Sequence, residues 1–140
     1  MAEMVSFKEL KIGDKGEVKK TITEQDVQKF AEISLDTNPI HLDEEFASKT
    51  MFKGRIVHGM LTTSIISAAV GTKMPGPGSI WMNQTIKWLK PVHIGDTITA
   101  VAELVEKIEE KKHVIVKTTC LNQNNEIVAE GQGKHKILNP

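Results

Sequence analysis

Four stretches in the second half of the chain, residues 80–90, 97–107, 113–121 and 127–137, alternate apolar and polar positions and are rich in Val, Ile and Thr. That pattern predicts half-buried strands. Turn-forming segments separate them: Pro91 to Asp96, Glu109 to Lys112, and Asn122 to Asn125. Short connections between successive strands imply antiparallel pairing. Residues 58–71 differ in texture, running His58-Gly59-Met60-Leu61-Thr62-Thr63-Ser64-Ile65-Ile66-Ser67-Ala68-Ala69-Val70-Gly71 with no charged residue. The β-branched content also suits a strand, but strands usually stop near ~8 residues, so length predicts a helix. A helix that is apolar or small all round is a buried one. The loop Met74-Pro75-Gly76-Pro77-Gly78-Ser79 then ends it.

The first half is shorter in its periods. Lys15 to Ile22 reads as an edge strand, and Thr23-Glu24-Gln25-Asp26 as a capped helix start with acids in the first turn. Val27, Phe30, Ala31 and Ser34 recur at helical spacing, predicting a short amphipathic helix that runs up to Asp36. Asn38-Pro39 forbids its continuation. Asp43 is placed to cap a second short helix from Glu44 to Lys49. One long buried helix followed by an antiparallel sheet predicts an α+β domain occupying residues 1–140, with the sheet wrapped around the helix.

Composition narrows the function classes. Lys plus Arg and Asp plus Glu both number 18, so the balance lacks the basic field of a nucleic-acid binder. The single cysteine, Cys120, excludes an internal disulfide and reads as a small core residue in a strand. No stretch approaches the ~20 apolar residues that span a bilayer. Met1-Ala2-Glu3-Met4 lacks the apolar run of a signal peptide. A soluble, cytoplasmic protein without membrane insertion is expected. His58, His93, His113 and His135 lack a metal-ligand spacing, so no metal site is expected. There is no Gly-x-Ser-x-Gly elbow, and Gly76-Pro77-Gly78 reads as a turn, not a phosphate cradle.

The segment Ser34-Leu35-Asp36-Thr37-Asn38-Pro39-Ile40-His41 carries the chemistry. A carboxylate and an imidazole are the commonest groups for moving protons near neutral pH, and the intervening turn can bring them to one point. Singly, each has a plainer reading: Asp36 as a turn former, His41 as a hydrogen-bonded histidine, Gly59 as helix entry. Together the residues suggest more. Phe30 to His41, with Ala47 beyond, resembles the hydratase-2 signature of the MaoC-like dehydratases. Arg55-Ile56-Val57-His58-Gly59-Met60-Leu61 resembles that family's entry into its central helix, and Gly76 to Ile80 and Lys90 to Asp96 its next landmarks.

The resemblance is strongest to the small (R)-specific enoyl-CoA hydratases, and it implies a hot-dog fold. It also implies addition of water to a trans-2-enoyl-CoA, giving the (3R)-3-hydroxyacyl-CoA. His41 would take a proton from water, and Asp36 would manage the proton delivered to C2, a division that spacing alone leaves open. Gly59 would offer its N–H to the thioester oxygen, with Ser67 and Asn38 in support and Val70 in the acyl pocket. Lys53, Arg55, Lys73, Lys87 and Lys90 are the basic residues available to coenzyme A phosphates. No cofactor is implied; coenzyme A enters as part of the substrate. A homodimer or dimer of dimers is expected, since a curved sheet leaves edges to cover. The alternatives are a 3-hydroxyacyl-[acyl-carrier-protein] dehydratase and a non-catalytic acyl-thioester-binding module. The family usually has Gly immediately before the Asp, where this chain has Leu35. A Cβ disfavours positive φ, which bears on the placement of Asp36 more than on its role.

Overall fold

A computed structural model describes residues 3–140; Met1 and Ala2, part of the N-terminal segment read above, lie outside the described residues. Five strands, β1 (Lys15–Thr21), β2 (Ser79–Trp88), β3 (Thr97–Ile108), β4 (His113–Leu121) and β5 (Ile127–Ile137), form one antiparallel sheet in the order β1-β3-β4-β5-β2. The central strands alternate as their sequence requires. Ile98, Ala100, Ala102 and Leu104 of β3 are fully buried, as are Val114, Val116 and Cys120 of β4. Burial pushes the Cys120 thiol up to about 12, so it is a small apolar residue in practice.

The long helix expected from the uncharged run is α4 (Gly59–Thr72), and it packs on β1, β3 and β4. Alanines at 100 and 102 leave room for it, and Leu61, Ile65, Ile66, Ala69 and Val70 fill the space between helix and sheet. This is the hot-dog arrangement, a curved antiparallel sheet around a long helix. One expectation is corrected. The helix is not buried all round: Met60, Ser64, Ser67 and Gly71 form an exposed stripe at helical spacing. A five-stranded sheet covers only one side of a helix, and small apolar composition does not report which side is left open.

Three short helices connect β1 to α4: α1 (Glu24–Ser34), α2 (Pro39–Leu42) and α3 (Glu44–Ser48). Thr23 and Asp26 form a reciprocal capping box, each backbone N–H donating to the other's side chain at 2.9 and 3.1 Å. α1 stops at Ser34, two residues before the predicted end, because Leu35 adopts φ 66°, ψ 13°. The left-handed conformation that glycine would supply is therefore present, taken by a leucine whose exposed side chain meets no obstacle. Asn38-Pro39 does more than break a helix. Pro39 is the first residue of α2, and the Asn38 side chain accepts from the Ile40 N–H at 3.1 Å.

Candidate active site

The C-terminal end of α1, the single turn of α2 and the N-terminus of α4 converge. Asp36 follows the left-handed Leu35, and its carboxylate accepts from the Asn38 N–H at 3.2 Å. His41 lies on α2 and is 9 % exposed. Its Nδ1 donates to the Ile56 carbonyl at 2.8 Å, a bond only the protonated nitrogen can make. In the neutral ring Nε2 is thus left with the lone pair. Burial lowers the His41 pKa below its ordinary value, against the opposing bond to Ile56.

His58, immediately before α4, is buried beneath this pair. Its Nε2 donates to the main-chain carbonyl of Asp36 at 3.0 Å and so fastens the chain where the carboxylate springs from it. The His41 and His58 rings stack at 3.9 Å and 25°, and Phe30 of α1 packs against His58 at 4.8 Å. One polar atom from each of Asp36, His41 and His58 falls within 4.8 Å of the others. The acid and the imidazole singled out in the sequence are therefore brought together, with His58 beside them.

A second support reaches His41 from below. Arg55 Nε donates to the His41 carbonyl at 2.7 Å, while its terminal nitrogens grip Glu24 in the first turn of α1 at 2.5 and 2.8 Å. The bonds from Arg55 hold the Glu24 carboxyl down at about 2. Arg55 is thus bonded to Glu24 and His41, which sets it apart from the lysines with which it was grouped.

Gly59 opens α4, so its N–H falls among those the helix leaves without an i−4 acceptor; the first turn bond is donated by Thr62 to His58 O. Two cavities meet here. One, about 280 Å³, is lined by His41, Phe52, Ile56 and Val92; the other, about 330 Å³, by Asp36, Phe30, His58 and Met60. Gly59 and Trp88 border both. Ser67 lies on the exposed stripe of α4 and Val70 in the core, and neither borders either cavity. Among the described residues no hydrogen bond joins Ser67 to Asp36; Asn38 supplies the carboxylate's bond. Sequence reasoning missed Glu24, His58, Trp88 and the true role of Arg55. Only His58 left a signal, as a histidine adjoining the helix entry.

Hot-dog architecture and an acid–histidine pair at the mouth of the long helix define a thioester hydratase or dehydratase class. A family model, the MaoC like domain, matches residues 9–125, and the chain belongs to that family. It is 46 % identical over 126 residues to an (R)-specific enoyl-CoA hydratase of Rhodospirillum rubrum, covering 90 % of this chain and 87 % of that one. The unliganded R-hydratase PhaJ1 of Pseudomonas aeruginosa superposes with a TM-score of 0.91 at 39 % identity, covering 98 % and 88 % of the two chains. The (R)-hydratase of Aeromonas caviae involved in PHA biosynthesis gives 0.89 at 36 % identity, covering 92 % and 98 %.

Proposed function

We propose that this protein is an (R)-specific enoyl-CoA hydratase, a hydro-lyase that adds water reversibly to trans-2-enoyl-CoA. One observation carries the reading: Asp36 and the base nitrogen of a tautomer-fixed, buried His41 share one small space at the N-terminus of α4. Water held between them loses a proton to His41 Nε2 as its oxygen bonds to C3. The π electrons move toward the thioester oxygen, where the Gly59 N–H and the positive end of α4 stabilise the enolate. The proton taken from water is the one C2 needs, so Asp36 relays it from His41 to C2, and both groups return to their starting states.

No metal takes part in this scheme. The His41 and His58 rings stack at 3.9 Å, and each commits one nitrogen to a main-chain carbonyl, of Ile56 and of Asp36. Coenzyme A is recognised as part of the substrate, and the site of action is the cytoplasm. No helix among the described residues is long and apolar enough to cross a membrane. The working form is a homodimer, because the stripe on α4 and the apolar residues of the β2 edge, Ile80, Trp81 and Met82, are exposed in the single chain.

The deciding experiment is hydration of crotonyl-CoA with a chelator present, following loss of the conjugated absorbance and assigning the product's configuration. Rapid formation of the 3R alcohol is expected. A folded protein that leaves crotonyl-, hexenoyl- and octenoyl-CoA untouched would sink the proposal.

A further inference from the structure

Gly59 and Trp88 are the two residues that border both cavities of the site. Trp88 ends β2 at its pairing with Ala129, and its indole N–H donates to the Gly59 carbonyl at 2.9 Å. A Cβ placed on Gly59 would lie 2.8 Å from Trp88 Nε1 and 3.0 Å from Cε2. The ring therefore lies directly on the glycine, and the hydrogen bond holds one end of it there. The indole is half-exposed in the single chain, and rotating it away breaks the bond, so it forms a shared wall of the two cavities. Asp36 borders one of these cavities and His41 the other, and their polar atoms come within 4.8 Å of one another, so the indole does not separate them. A thioester seated on the Gly59 N–H has two arms, acyl and pantetheine, that leave the carbonyl in different directions. Two cavities border Gly59, one available to each arm, and Trp88 lines both.

We propose that Trp88 is a specificity-determining residue: its anchored indole walls the acyl arm and limits the length and bulk of acyl group delivered to Asp36 and His41. This deepens the hydratase reading and rests on it. A ring fixed at the junction excludes an acyl chain that must bend past it, and such steric selection in an apolar site amounts to about 10–200-fold per unaccommodated methylene.

Two measurements test it. The chain has two tryptophans, so Trp81→Phe leaves Trp88 as the sole indole fluorophore. Titration of that variant with butyryl-CoA, which cannot be hydrated, should change the emission in step with the heat of binding. Binding heat with unchanged emission would overturn the proposal. Separately, kcat/KM is compared for crotonyl-, hexenoyl- and octenoyl-CoA. Trp88→Ala should raise the octenoyl-to-crotonyl ratio about tenfold or more, with the change carried mainly by KM. Trp88→Phe, which keeps a ring without the N–H, should stay near the wild-type ratio. An unchanged ratio in an active Ala variant overturns the role of Trp88 and leaves the hydratase reading intact; a wild-type protein inert toward all three substrates overturns both.

Discussion

The bond from His41 Nδ1 to the Ile56 carbonyl fixes the tautomer and leaves Nε2 with its lone pair, so the proposed mechanism requires a neutral ring. Burial favours that form by lowering the pKa from 6.5. The sign follows: kcat/KM should fall as pH drops through a value below 6.5 and be flat near neutrality, because a protonated His41 cannot take a proton from water. An acid limb centred above 6.5 would count against His41 as the base. The carboxylate is separable from the fold. Asp36 is exposed, and its acceptor bond from the Asn38 N–H survives in Asp36→Asn through the amide oxygen. Turnover should fall about 10²–10⁴-fold while the melting temperature hardly moves; near-normal turnover would remove Asp36 from the chemistry. Leu35 shows what spacing cannot convey. A leucine in a left-handed position costs about 1–2 kcal/mol, yet the turn is kept at φ 66°.

Between elements the site depends on contacts far apart in sequence. Alternation in β3 and β4, the Thr23 cap, the Asp43 cap and the long α4 were legible because each is set within a few residues, whereas β2, read as half-buried, is an edge strand with no buried residue. The Glu24–Arg55 clamp joins residues 31 apart, and His58 reaches Asp36 across 22. Local spacing carries no information about such pairings, which is why Arg55 read as one more basic residue. The clamp joins the first turn of α1 to the carbonyl of His41. Glu24→Gln leaves the Arg55–His41 bond but loses the charged, two-pronged grip, and kcat should drop severalfold with KM nearly constant; Glu24→Asp should recover part of it. Equal kcat in the Gln variant would mean the clamp serves stability alone. Across the sheet, His135 of β5 is 1 % exposed and stacks on Trp81 of β2 at 6.0 Å. Burial holds its pKa down at about 4. The fold favours the neutral ring, so this contribution is complete above pH 6.5 and is lost as pH falls from there toward 4. The loss reaches roughly 3 kcal/mol. His135→Phe should flatten the stability slope between pH 7 and 5, measured by urea unfolding; an unchanged slope would place the acid sensitivity elsewhere.

At the scale of the molecule, the two edges of the sheet are not alike. β1 carries Lys15, Glu17, Lys19 and Lys20, the charged residues that keep an edge from pairing. β2 presents Ile80, Trp81 and Met82 with Trp88 and Leu89 at its end, all exposed. On α4 the exposed stripe of Met60, Ser64, Ser67 and Gly71 is small from Ser64 onward, which can admit another helix closely. An apolar edge and a small-residue helix face, both left open by one chain, are what a second copy would cover. Covering them would also shield Trp88 and the two cavities from water, which strengthens the polar interactions of the site. The wild-type protein should therefore show about twice its 15.5 kDa chain mass in light scattering at micromolar concentration. Ser64→Arg tests the surface: Ser64 is exposed, and among the described residues its hydroxyl bonds only back to Leu61 O, so the folded chain loses little. Two arginines facing each other across a two-fold axis would repel, and the mass should fall toward that of one chain. A wild-type protein already at 15.5 kDa would mean that the open face of α4 serves something other than self-association.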